Sequence, residues 1–239
     1  MHDENGSNDR PAAGYVGWVG SLARDWREIA PALRSLLTAR RHMPRRVTSL
    51  AGLPDALSRE AAFLAQSSVY AYCRARTGFM APKLFDEPAF LGSVEICRWH
   101  AYVACLSDLF AIVEGRLRTV YPGRPEALAE KLTAQFAAAL RMQDEAPPEP
   151  RDWNADTSAF GNRLAQLQLA APLPVVTLVE YSAQAIYDHL PFHEKLLKPD
   201  EEMVFNSVRF RFLRCAEDLE RKLDFPELAR ELAGATTID

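Results

Sequence analysis

Residues 86–123 read DEPAFLGSVEICRWHAYVACLSDLFAIVEGRLRTVYPG, and this stretch decides the fold. Asp86-Glu87-Pro88 gives acidic entry residues and a proline suited to the first helical turn. No breaker follows until Tyr121-Pro122-Gly123, so about thirty residues are predicted as one helix that spans the body of the protein. Gly92 and Gly115 weaken only its ends.

Downstream, Pro125 opens an alanine-rich helix striped by Leu128, Leu132, Phe136 and Leu140 that reads to about Met142. Ala146-Pro147-Pro148-Glu149-Pro150 then breaks regular structure. A short helix is expected over Phe160–Leu169 and a longer one over Val175–Leu190, helix being favoured there over a lone strand with no partner. Pro199-Asp200-Glu201-Glu202 introduces a helix carrying Phe205, Val208, Phe212, Cys215 and Leu219, and a last short helix runs from Pro226 to Leu232 before Gly234.

Upstream, Pro54 starts a helix that reaches Arg76, with Gly78 placed to reverse the chain and with Ala61, Ala62, Ala65, Ser68 and Ala71 giving it a small-residue face. Before it, Val19, Leu22, Trp26, Ile29, Leu33 and Leu36 recur at steps of three and four, and the register continues through Met43, Val47 and Leu50. Pro31 and Pro44 predict a kink or break in that helix. The expected organisation is a disordered tail over 1–15, an N-terminal helical bundle over 16–145, a proline-rich linker over 146–157, and C-terminal helices over 158–239 packed on the bundle. The fold class is all-α, an irregular bundle of about six to eight helices, with no internal repeat to suggest a solenoid.

A chain of 239 residues, 48% hydrophobic and 25% charged, buries a sizeable core without disulfides or metal. Its net charge of −4 argues against a surface built wholly to neutralise phosphates. Cys73, Cys97, Cys105 and Cys215 form no C-x-x-C pair and sit in apolar helical patterns, as reduced, packed thiols do. The N-terminal MHDENGSNDR lacks the basic and apolar regions of a secretory signal. The richest apolar stretch, Trp99–Val113, is short for a membrane span and carries His100 and Asp108. The expectation is a soluble, cytoplasmic protein.

No Gly-x-Ser-x-Gly elbow, Walker loop, Gly-x-Gly-x-x-Gly or Glu-x-x-His occurs, so the sequence assigns no catalytic residue and no cofactor. Within the long helix, Glu95, Arg98, His100 and Asp108 interrupt an apolar surface and are the ligand-pocket candidates. Glu95 and Arg98 are neighbours at i, i+3, while His100 and Asp108 lie two turns apart, roughly on one face. Such a set lines a pocket or an acid/base site when it is buried together, and perturbed titration marks it. Its plainer reading is an exposed ion pair and a core histidine. His189-x-x-x-His193, flanked by Asp188 and Glu194, is the one metal-like spacing, although Pro191 separates the pair and no further ligand is spaced nearby. The plainer reading of that pair is a polar corner between helices.

The interaction candidates are arginines. Arg40, Arg41, Arg45 and Arg46 crowd one seven-residue stretch, and Arg209, Arg211, Arg214, Arg221 and Lys222 line the late helix with Phe210 among them. An aromatic exposed in a basic surface suits an interface anchor, whereas the arginines alone fit a solvated face. Tyr15 and Trp18, in a glycine-rich context, suit a short docking segment or a staple onto the bundle, and Trp153 is placed to pin the proline linker. Three readings follow: a protein-interaction, adaptor or assembly-factor module that binds a protein partner or itself; a helical enzyme or small-ligand binder with a polar pocket on the 88–120 helix; and a binder of nucleic acid or anionic membrane through Arg40–Arg46.

Overall fold

Proline stands in the first turn of several helices, and glycine ends one of them. In the computed structural model, which describes residues 46–121, 124–143 and 146–234, Pro54 lies in the first turn of α1 (Leu53–Thr77). Gly78 ends that helix at φ 51°, a backbone that side chains disfavour. After the five-residue α2 (Ala81–Phe85) come α3 (Pro88–Leu117) and α4 (Pro125–Arg141), each with proline in its first turn. Asp152 caps α5 (Trp153–Leu167), its carboxylate accepting from the backbone N–H of Asn154 and Ala155. The remaining helices are α6 (Val175–Leu178), α7 (Glu180–His189), α8 (Glu194–Leu197), α9 (Glu201–Lys222) and α10 (Phe225–Gly234).

The fold is an all-α bundle with no strand among the described residues, and seven of its helices have ten residues or more. The chain divides into Met1–Met43 and Pro44–Asp239. The expected tail over 1–15 and the heptad positions of the first helix as far as Met43 lie outside the described residues, as do Arg40, Arg41 and Arg45. Val47 and Leu50 are not on such a helix. Val47 is extended, its N–H donating to the Lys222 carbonyl at 2.7 Å and its carbonyl accepting from Asp224 N–H at 2.9 Å, while Leu50 opens a 3-10 turn.

At the centre lies α3, buried on every side from Ala101 to Gly115, as expected of a helix whose apolar residues go all the way round. It packs most extensively on α1 and also meets α4 and α7. By length and composition it is also apolar enough to cross a membrane, and 83% of its apolar window is buried inside the protein. The aromatic rings of Phe110, Phe136 and Phe160, from α3, α4 and α5, form one cluster: Phe136 and Phe160 stack with centroids 4.3 Å apart, and Phe110 meets both edge-on. Helices from both sides of the proline segment therefore share one core, and the part of 146–157 expected to be linker is helical from Trp153 onward.

One expected helix is two. Val175–Leu190 breaks at Val179 because a buried ion pair enters its hydrogen-bond ladder. In an unbroken helix Ser182 N–H would donate to the Leu178 carbonyl. Here Ser182 N–H donates to Asp108 Oδ2 at 3.0 Å, and Leu178 O accepts instead from Arg163 Nη2 at 3.0 Å. Arg163 and Asp108 close the bridge between themselves.

Candidate functional site

The four candidate residues of α3, Glu95, Arg98, His100 and Asp108, do not meet in one pocket. At 100° per residue, Glu95 and His100 point about 140° apart, and His100 and Asp108 are separated by about 80° and about 12 Å along the axis. Glu95 accepts from the Tyr70 hydroxyl at 2.7 Å and from Arg98 Nε at 2.7 Å, while Arg98 also lies over the Trp99 ring. This pair ties α3 to α1, and the tyrosine hydroxyl is pushed up by burial and then by its carboxylate partner.

Asp108 is 0% exposed. Besides Ser182, it holds Arg163, whose Nη1 donates to Ser107 Oγ at 2.6 Å and whose guanidinium lies 4.3 Å from the Tyr181 ring centroid. Burial raises its pKa to about 6, against the lowering pull of Arg163 and Ser182. Glu114, farther along α3, is likewise buried, raised by burial, and held by Arg118 and by Gln168 Nε2 at 2.9 Å. Glu60 pairs with Lys222 at 2.7 Å. These carboxylates fasten helices to one another.

His100 turns elsewhere. Its ring stacks on that of His189 with centroids 3.7 Å apart and planes 15° from parallel. Two imidazolium ions would repel at that spacing, and the His100 ring accepts a hydrogen bond, which its neutral form alone does. His189 Nδ1 is 2.8 Å from the Ala185 carbonyl, and His100 Nδ1 is 3.4 Å from Arg151 Nη1, a group that can only donate. Burial, then His189 and Arg151, push the His100 pKa down to about 4, with Asp156 acting the other way. His193 serves a different purpose: its Nδ1 accepts the Lys195 N–H at 3.2 Å and caps α8. The two histidines of the metal-like spacing are thus employed apart, and no group of three or more His, Cys, Asp or Glu placed to hold a metal occurs among the described residues.

Beside His100 a cleft of about 260 Å³ opens between α3, the segment Pro147–Asp152 and the first turn of α5. Its floor is Ile96, Trp99 and His100, at helical positions i, i+3 and i+4, and its walls carry Pro147, Pro150, Arg151 and Asp156. Asp156 grips Arg151 with both oxygens, Nε to Oδ2 at 2.7 Å and Nη2 to Oδ1 at 3.0 Å. Trp153 packs at 6.1 Å from Trp99 and beneath the Arg151 guanidinium, the pinning role expected of it. Of the four sequence-derived pocket residues only His100 lines this cleft. Arg151 and Asp156 were not singled out in the sequence, because a segment rich in proline reads as a connector; Asp152, a residue suited to an N-cap, was the local signal that a helix started there.

Helix α9 presents two faces. Val204, Val208, Phe212, Cys215 and Leu219 are buried, while Met203 (53%), Phe210 (62%) and Leu213 (41%) are exposed. Arg209 bonds Glu180 at 2.7 Å, Arg221 pairs with Asp218, and Arg211 is half-buried. Arg214 lies 6.0 Å from the Phe210 ring centroid. Arg46, the described member of the N-terminal cluster, meets Asp224 at 3.4 Å. All four cysteines are buried and free. No known protein family, curated protein or solved structure matches this chain.

Proposed function

We propose that this protein is an interaction module, of the adaptor or assembly-factor kind and without catalysis of its own, that receives an amphipathic, acidic helix of a protein partner on the outer face of α9. The observation that carries the reading is Phe210, a phenylalanine with 62% of its surface in solvent at the middle of a 22-residue helix. Met203, Phe210 and Leu213 follow steps of seven and three, so they form a stripe on the side of α9 away from its buried seam. An apolar anchor flanked by a guanidinium is the make-up of an interface hot spot, and Arg214 beside Phe210 supplies the charge for an acidic partner. The buried acids support the same reading from the other direction, since Asp108, Glu114 and Glu60 are each occupied by a structural cation.

The test is affinity recovery from host cells with the wild-type chain and with Phe210→Glu, both checked for equal helicity. A stoichiometric protein partner retained by the wild type and lost by the variant is expected. Recovery of the same proteins in the same amounts by both chains would contradict the proposal.

A further inference from the structure

We propose that the cleft between α3, Pro147–Asp152 and α5 binds a small organic cation, a guanidinium or ammonium group carried on a short apolar body. The proposal is independent of the α9 face and rests on the chemistry of the cleft walls. Proline has no N–H, so the three prolines at 147, 148 and 150 offer carbonyl acceptors without matching donors. The backbone carbonyls of residues 147–150 accept no backbone hydrogen bond from the described residues. Such a wall suits a donor-rich ligand, while the Arg151 guanidinium that an anion would seek is already held by Asp156.

Charge points the same way. Glu149, Asp152 and Asp156 line the cleft against the single guanidinium of Arg151. Asp156 neutralises Arg151 through its two-point grip, and Asp152 is spent on the first-turn N–H groups of α5. His100 accepts from Arg151 and so adds no second positive charge; burial keeps its imidazole neutral down to a pKa of about 4. Glu149 remains, exposed at the lip and without an ion pair among the described residues. Below it Ile96 and the proline rings offer an apolar surface against which an alkylated cation packs, and the buried Trp99 closes the floor. At about 260 Å³ the space lies just under the range of small-molecule sites, which begins at about 300 Å³, and so admits a ligand no bigger than one long side chain.

The chemistry has two sources, a free small molecule or a basic side chain of a peptide, and calorimetric titration of the full chain separates them. The probes are butylguanidinium, a capped Gly-Arg-Gly tripeptide, and butyrate as the anion of like size. Saturable binding of butylguanidinium with none of butyrate is expected, together with a change in tryptophan fluorescence because Trp99 lines the cleft. Tighter binding of the tripeptide than of butylguanidinium would assign the site to a peptide side chain, and equal or weaker binding to a free molecule. Two variants locate the site: Ala155→Trp, at an exposed position on the wall, fills the cleft, and Glu149→Lys reverses the charge at its lip. Each is expected to weaken binding by roughly tenfold or more. Absence of saturable binding by either cation, or binding unchanged in both variants, overturns the proposal.

Discussion

Asp108 joins three helices through one carboxylate. Buried in the C-terminal half of α3, it holds Arg163 from α5 and the Ser182 N–H at the start of α7. Asp108→Ala leaves a largely buried guanidinium and an orphaned N–H, which should cost about 3–5 kcal/mol in urea unfolding. Replacing both partners, Asp108→Leu with Arg163→Met, frees the Leu178 carbonyl and the Ser182 N–H to bond each other and should recover most of that loss. A double variant as unstable as the single one would show that the pair does not act as argued. Two residues of α3 also set opposing pH dependences. His100, shifted down from 6.5 to about 4, contributes stability that is present above pH 6.5 and is lost as pH falls toward 4. Asp108, shifted up from 3.8 to about 6, contributes stability that is present below pH 3.8 and is lost as pH rises through 6. Glu114, also raised, acts in the direction of Asp108. Between pH 4 and 6 these slopes oppose each other. His100→Phe keeps the ring on His189 and removes one of them, so its stability should fall with rising pH across that window more steeply than that of the wild type. Identical slopes in the two chains would refute the assignment.

At the scale of elements, the sequence shows ends where proline and glycine stand and misses what distant residues impose. Pro54, Pro88 and Pro125 each open a helix at the expected place, and Gly78 closes α1. The break at Val179 has no local cause, because the groups that make it lie 15 and 74 residues away from the positions they contact. With five and four residues, α2 and α8 are too short for periodicity to register. The cleft was illegible for the same reason as the break: His100 meets Arg151 across 51 positions, and its stack on His189 joins different helices. By contrast, the exposure of Phe210 follows from its place off the buried stripe of α9, and that was readable from spacing alone. The cap of α5 offers a local test. Asp152→Ala should cost about 1 kcal/mol and fray the first turn of that helix, while Asp152→Asn, which keeps an acceptor, should cost less. Amide exchange at Asn154 and Ala155 reports the difference directly, and equal exchange in both variants would remove the cap from the account.

For the molecule as a whole, a central helix buried on all sides divides the labour. Its ion pairs and aromatic contacts fasten α1, α4, α5 and α7 around it, so the buried polar groups are committed to the fold. The outer face of α9 is packed inward on only one side and is left with an apolar stripe in solvent. That division makes the α9 face the place where a partner should be found. Its most direct test is a photo-crosslinking phenylalanine analogue at position 210 in the living host, with the same analogue at the exposed Glu126 of α4 as control. The account predicts one discrete crosslinked protein from position 210 and none from 126. No crosslink at 210, or the same products from both positions, would contradict it.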